Sequence, residues 1–171
     1  MAICCDLISD IRLCESWSRV MLMDETLFPP GWENGRVIPT ADSHGAVEHP
    51  SRDVYGPGGV AVHEIYRYEF VNAARREYRR QLDVWFPRTP LYDEWQPRED
   101  LRASLAFADE GYVACAKWGR PTEERVIDCG MVALYHEYVV RFSTQVVPLY
   151  LTFDDLAHIL KDLDTQFASA M

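Results

Sequence analysis

The sequence predicts an α+β fold, organised as a single domain over residues 1–171. Three observations support this: helical spacing of apolar residues near both ends, strand-like alternation in central segments, and a length of 171 residues, which is typical of one domain. The predicted order is an N-terminal helix, a long Pro/Gly-rich loop, a central Arg-rich helix, an antiparallel sheet of about 3–5 strands and a C-terminal helix.

The first predicted helix covers residues 3–22, where apolar side chains recur every three or four positions. Residues 27–59 follow, with five of the prolines and six of the nine glycines. Proline removes a backbone donor and glycine weakens regular elements, so this composition predicts a long loop that could move and bind a partner. Asn34–Gly35 leaves a short hairpin open within that loop.

The central segments predict a strand and then a helix. Residues 60–70 alternate like a strand, although their spacing also fits a helix. Residues 72–85 predict a helix that begins after Asn72 as N-cap. Its two predicted faces are an apolar stripe of Tyr78, Leu82 and Trp85 and a basic face of Arg75, Arg76, Arg79 and Arg80.

The C-terminal half predicts the rest of the sheet and one more helix. Residues 101–119 are interpreted as a hairpin, because two apolar runs flank a turn signal at 109–111. Residues 126–142 are interpreted as strand in their second half, with helix left open for 126–137. Thr152 and Asp155 form a capping-box pattern before the last helical stripe.

The charge balance excludes some partner classes and favours others. The net charge is -10 at pH 7 and the pI is near 4.9. Such a surface repels nucleic-acid phosphates and anionic membranes, and it attracts basic proteins. No apolar run is long enough for a membrane span and no signal segment is recognisable. We therefore expect a soluble cytoplasmic protein.

The five cysteines form no C-x-x-C pair. In a cytoplasmic protein they should be reduced thiols, most of them buried as small apolar groups. Cys115 and Cys129 lie in strand-like runs and are predicted to be inert thiols in the core.

No convincing catalytic constellation is present, and neither a metal nor a cofactor is expected. The histidines and the carboxylate near the long loop do not have the spacing of a zinc motif. Residues 56–59 are glycine-rich but lack the Lys and Ser/Thr of a phosphate loop. A nucleophile elbow is also missing. The sequence therefore indicates a binding protein rather than an enzyme.

Acidic and aromatic side chains are the candidate partner contacts, because aromatic anchors and complementary charge dominate protein interfaces. One set surrounds a tryptophan after the central helix, and the other lies in the long loop. The predicted contacts are Asp93, Glu94, Trp95, Glu99 and Asp100, together with Trp32, Glu33 and Glu48.

This profile of small size, acidity and aromatic-rich loops is similar to that of bacterial immunity proteins. The similarity is one of composition and size, and it carries over no motif and no residue. It implies an inhibitor that neutralises a basic, nuclease-like toxin by matching its Arg and Lys with carboxylates. Two alternatives stay open: a small-ligand domain or enzyme that uses the Arg75–Arg80 cluster with His63 or His136, and a subunit or adaptor of a larger assembly.

Overall fold

The computed structural model describes residues 17–39, 44–86, 92–119 and 126–171. They form one antiparallel seven-stranded sheet and four helices, which confirms the α+β class. The strands are β1 (Glu33–Pro39), β2 (Pro50–Gly56), β3 (Gly59–Arg67), β4 (Gln96–Pro97), β5 (Glu110–Trp118), β6 (Val126–Tyr135) and β7 (Tyr138–Val146). The helices are α1 (Trp17–Val20), α2 (Val71–Trp85), α3 (Glu99–Arg102) and α4 (Phe153–Ala170), with a 3-10 turn at Glu25–Leu27.

The strand order is β1-β2-β3-β7-β6-β5-β4. Two meanders, β1 to β3 and β4 to β7, are joined by pairing of β3 with β7, from Ala61↔Thr144 to Arg67↔Tyr138. The edge strands β1 and β4 are therefore six strand spacings apart, which is about 29 Å at the usual spacing of about 4.8 Å.

The two faces of the sheet are covered by different helices. Against one face, α4 packs the main apolar core, which includes Leu156, Leu160 and Phe167. Against the other face, α2 packs a smaller cluster that includes Tyr66, Ala74 and Val132. Because α2 has only 15 residues, it leaves room on its face of the sheet for a groove.

The prediction of a loop over 27–59 is wrong, because β1 and β2 lie in this range. Four of its prolines and glycines mark strand ends: Pro39 ends β1, Pro50 begins β2, Gly56 ends β2 and Gly59 begins β3. Asn34–Gly35 is not a turn either, since it lies inside β1 at an irregularity of the β1–β2 register.

The sheet is also larger than the predicted 3–5 strands. Residues 126–142 hold two strands that meet at His136–Glu137, a turn in which His136 takes a positive φ of 51°. Residues 101–119 are not a hairpin: they contain the end of α3 and one strand, β5, which pairs with β6 instead. The alternation in 126–142 was correct, but the His136–Glu137 turn contains no glycine, whereas Gly111, which indicated a turn, lies inside β5.

The predicted Arg-rich helix is present as α2, but its N-cap and its buried face differ from the prediction. Phe70, not Asn72, is its N-cap, and no side chain caps it. Its buried residues are Ala74, Glu77, Tyr78 and Gln81, whereas Leu82 and Trp85 are half-buried. Two polar residues can be buried there because each is hydrogen-bonded: Glu77 with Arg80 and Gln81, and Gln81 also with Arg141.

The structure also bears on the predictions made for the first helix, the last helix and the cysteines. The predicted helix 3–22 lies outside the described residues except for α1 and its flank. The capping box of Thr152 and Asp155 starts α4 as expected. Cys115 and Cys129 are not free thiols but form a disulfide, because β5–β6 pairing places their Cα atoms 4.1 Å apart as direct cross-strand partners.

Within the described residues no helix has the length and apolarity to cross a membrane.

Candidate protein-binding groove

A groove of about 870 Å³ lies between the C-terminal end of α2, the segment before β4, and β5. Its residues fall into two chemical groups. The apolar and aromatic group is Leu82, Phe86, Tyr92, Trp95 and Tyr112, and the acidic group is Asp83, Asp93 and Glu94. We call this site the aromatic groove. It combines residues of α2 with part of the acidic stretch that the sequence predicted as a partner contact.

The segment before β4 is fixed along β5 by backbone contacts. Tyr92 forms an isolated bridge with Trp118, and the Asp93 N–H donates to the Lys117 carbonyl at 3.0 Å. Further on, Gln96 of β4 pairs with Cys115 of β5. These contacts hold the wall of the groove in extended conformation on a rigid strand, so its side chains are preorganised for binding.

The aromatic rings contact one another in a continuous cluster. Tyr92 stacks on Trp95 with centroids 5.0 Å apart. Phe86 meets Trp95 edge-on at 5.1 Å and Tyr112 edge-on at 5.0 Å. All four rings are half-buried, so each keeps a surface that a ligand can reach. Such pairs contribute about 0.5–1.5 kcal/mol beyond their buried area, and this keeps the rings in place.

Tyr92 is further held from below by Asp128 of β6. Its hydroxyl donates to Asp128 Oδ2 at 2.9 Å. Burial raises the pKa of the Asp128 carboxyl, and the hydrogen bond from Tyr92 offsets only part of that rise. Burial, together with the nearby Asp128, raises the pKa of Tyr92 to about 12. The phenol is therefore protonated at neutral pH and orients its ring through a hydrogen bond to the sheet.

The α2 wall of the groove is held against the sheet through Trp85 and Phe86. Both rings lie over Gly130 of β6, where an added Cβ would come within 2.9 Å of Trp85 Nε1 and 3.1 Å of Phe86 Cε1. On its other side, Trp85 contacts the guanidinium of Arg141. The glycine therefore allows the close approach that brings Phe86 into the groove.

The acidic residues of the groove face solvent. Asp83, Asp93 and Glu94 are all exposed, so the mouth of the apolar cleft is acidic. A cation above an aromatic face gains about 0.5–2 kcal/mol, and nearby carboxylates add attraction and speed encounter. The arrangement suits the guanidinium or ammonium group of a basic side chain.

Two predicted contacts, Trp32 and Glu48, are engaged inside the protein. Trp32 is 5% exposed and stacks on Phe28 with centroids 4.8 Å apart. Glu48 is half-buried, pairs with Arg67 at 3.1 Å and accepts a hydrogen bond from Ser18. Both side chains therefore contribute to the fold through contacts inside the protein.

The remaining predicted contacts lie at opposite edges of the sheet. Glu33 begins β1, whereas Glu99 and Asp100 begin α3, directly after β4. Arg98 binds Asp100 at 2.8 and 2.5 Å and lowers the pKa of its carboxyl. Of the eight predicted contacts, the structure brings Asp93, Glu94 and Trp95 together in the aromatic groove.

Sequence reasoning missed the groove residues that come from other elements, Asp83, Phe86 and Tyr112. They join the acidic stretch only through packing of α2 and pairing of β4 with β5. Nothing local connects them with residues 92–95. The sequence contains one signal for these residues. At the end of α2 an acidic residue, Asp83, is followed three positions later by an aromatic one, Phe86.

The two histidines of the enzyme alternative lie apart, and only His136 is near the arginine cluster, because its partner Asp109 also feels the charge of Arg75. His63 is fully buried on the α4 side of the sheet, where its ring contacts Phe167. His136 lies in the β6–β7 turn, 3.1 Å from Asp109. Among the described residues, no group of three or more His, Cys, Asp or Glu is arranged to hold a metal ion.

Comparison with known proteins gives no family for this chain. No protein-family model matches it, and no curated protein and no solved structure matches it either. The functional argument therefore depends on the geometry and charge of the aromatic groove.

Proposed function

We propose that this chain is a protein-binding module whose aromatic groove takes an Arg or Lys side chain from a basic partner. The observation that carries the proposal is the meeting of three exposed carboxylates with four half-buried aromatic rings in one cavity of about 870 Å³. Aromatic anchors supply contact area, and carboxylates supply charge complementarity. The net charge of -10 extends the same preference over the whole surface.

The particular form of the proposal is an immunity-type inhibitor of a basic, nuclease-like toxin. A nuclease must attract polyanions, so its active face carries Arg and Lys. An acidic protein that docks on that face excludes the nucleic acid. This form requires no catalytic residue in the inhibitor, and the chain acts as a stoichiometric binder without a cofactor.

A cytoplasmic location belongs to this proposal, because an immunity protein must reach its toxin inside the producing cell. Disulfides are uncommon there, because the cytoplasm is reducing and favours two free thiols over the Cys115–Cys129 bond. Trapping of thiols in intact cells, followed by peptide mapping of this pair, measures its state where the protein acts.

The test is capture by the full chain and by charge-reversed variants at 50 and 300 mM salt. Asp93→Lys/Glu94→Lys changes the groove, and Asp154→Lys/Asp162→Lys makes the same net-charge change on exposed positions of α4. We expect the wild type and the α4 variant to retain one basic protein that salt releases, and the groove variant to lose it.

The captured protein is then assayed for nuclease activity. The proposed function predicts that this activity disappears when an equimolar amount of the wild-type chain is added and persists with the groove variant. Equal capture by both variants would remove the groove from the interface. A captured protein whose activity is unaffected by the chain would contradict the inhibitor form.

A further inference from the structure

A second cleft, at the opposite end of α2, carries a different chemistry. It has a volume of about 290 Å³ and is lined by His44, Gly45, Tyr68, Ala73, Arg76, Glu77 and Arg80. We call it the Tyr68 cleft. It lies beside residues 73–80 of α2, whereas the aromatic groove uses residues 82–86, so the two sites share no lining residue.

The unusual feature of the Tyr68 cleft is a buried hydroxyl that has no hydrogen-bond partner among the described residues. Tyr68 is 3% exposed, and its hydroxyl forms no hydrogen bond within the described part of the chain. Leaving such a group unsatisfied costs about 1–3 kcal/mol. Burial raises the pKa of this phenol, so the hydroxyl keeps its proton and can donate it in a hydrogen bond.

The lining of the cleft holds two arginines and one carboxylate, and this carboxylate, Glu77, is the charge that acts most strongly on the Tyr68 hydroxyl. The Glu77 carboxylate is already occupied, because Arg80 binds it at 2.8 and 2.5 Å and Gln81 donates to it at 2.5 Å. Arg76 is exposed and forms no ion pair with any residue that the structure describes. The lining therefore has an excess of one positive charge in a strongly acidic protein.

The N-terminal end of α2 adds to this positive charge. Its first turn contains no acidic residue, and the N-cap Phe70 offers no side-chain hydrogen bond. The positive end of the helix dipole is thus not neutralised by its own cap. Ala73, in the first turn, lines the Tyr68 cleft, so the field of the helix acts on a group bound there.

We propose that the Tyr68 cleft binds an oxyanion, a carboxylate or phosphate group, which accepts the hydrogen bond of Tyr68 and pairs with Arg76. The volume suits one such group with a few attached atoms. A carboxylate could come from a partner side chain or a metabolite, and a phosphate from a small phosphorylated molecule. The shared chemistry is a compact anion that needs one neutral donor and one guanidinium.

The experiment is a titration of the full chain with sodium phosphate and, separately, sodium acetate, followed by amide NMR at constant ionic strength set with sodium chloride. We expect saturable shifts at Gly45, Ala73 and Arg76 with at least one of the two anions. Saturation by acetate alone or by phosphate alone identifies the source of the oxyanion. The absence of saturable shifts with both anions would overturn the proposal.

Three variants assign the binding to named groups. Tyr68→Phe removes only the hydroxyl and should weaken binding about tenfold or more, since hydrogen bonds to charged groups are strong. Its melting temperature without anion should equal or exceed that of the wild type, because an unsatisfied group is gone. Arg76→Gln, which changes an exposed residue, should also weaken binding, whereas Arg79→Gln on the same helix should not. Unchanged affinity in Tyr68→Phe, or equal loss in Arg79→Gln, would overturn the proposal.

Discussion

The guanidinium of Arg141 lies over the indole of Trp85, with its central carbon 3.7 Å from the ring centroid. The same guanidinium donates to Gln81 Oε1 at 2.8 Å and to the Glu64 carboxylate. One side chain of β7 therefore holds two turns of α2 against the sheet. Since Trp85 precedes the groove residue Phe86, this contact also positions one wall of the aromatic groove.

Replacement of Arg141 by Met should lower the free energy of unfolding by about 3 kcal/mol, because it leaves the half-buried carboxylate of Glu64 with only His49 Nε2, at 3.5 Å, in place of a permanent cation. Arg141 and Glu64 are each 15% exposed, so water cannot easily compensate. Urea unfolding at pH 7 measures the effect, with Arg79→Met on the exposed face of α2 as control. Adding Glu64→Gln to the Arg141 variant should recover part of the loss. No recovery would show that charge burial is not the cause.

His63 predicts a specific dependence of stability on pH. Burial lowers the pKa of His63 to about 3, and its Nδ1 accepts the Met23 N–H at 3.0 Å. Between pH 6.5 and 3 the unfolded chain binds a proton at this residue that the folded chain does not. The free energy of unfolding should therefore fall on acidification, by about 1.4 kcal/mol per pH unit from this residue.

The contribution of His63 is measured by difference from a His63→Gln variant. From pH 6.5 to 5 the wild type should lose about 2 kcal/mol more than the variant. The exposed His158 provides the control, and His158→Gln should keep the wild-type dependence. Parallel pH curves for wild type and His63→Gln would contradict burial of a neutral imidazole at this position.

The Cys115–Cys129 disulfide should stabilise the fold to a moderate extent. The two cysteines are separated by 14 positions in sequence. A bond that closes a loop of this length lowers the entropy of the unfolded chain, which adds about 3 kcal/mol to the free energy of unfolding. Reductant should therefore lower the urea midpoint of the wild type. A Cys115→Ala/Cys129→Ala variant should be less stable and insensitive to reductant. An identical wild-type midpoint with and without reductant would contradict the bond.

Trp32 gives a test of core position against partner contact. Trp32→Ala should cost about 3–5 kcal/mol of stability, because a large buried side chain is removed. Trp32→Phe should cost much less, since the buried indole N–H has no hydrogen-bond partner among the described residues and is lost with it. Thermal unfolding measures both variants. A stable Trp32→Ala variant that loses only its partner would instead support the contact role.

The elements that the sequence predicted well are those with local signals. The last helix is an example, since Thr152, Asp155 and the apolar stripe after them are neighbours in sequence and specify α4 directly. The β6–β7 turn shows the opposite case. His136 takes its positive φ where glycine or asparagine is usual, and its N–H is held by Asp109, which is distant in sequence. Turn composition could not reveal it.

The aromatic groove was predictable only in the part that is contiguous in sequence. Asp93, Glu94 and Trp95 form a local acidic and aromatic pattern, whereas Asp83 and Tyr112 join them through strand pairing and helix packing. Trp32 and Glu48 are also an aromatic and an acidic residue, but Trp32 is buried and Glu48 is paired with Arg67. Residue type indicated candidate contacts, and the strand order decided which of them share a surface.

The most direct measurement is the association rate of the captured basic partner at several salt concentrations, for the wild type, Glu94→Lys and Asp100→Lys. Glu94 lines the groove, and Asp100 is already paired with Arg98. Glu94→Lys should slow association about tenfold or more at low salt and flatten its salt dependence. Asp100→Lys should have a smaller effect. Unchanged association and dissociation rates in Glu94→Lys would contradict the assignment of the aromatic groove as the partner site.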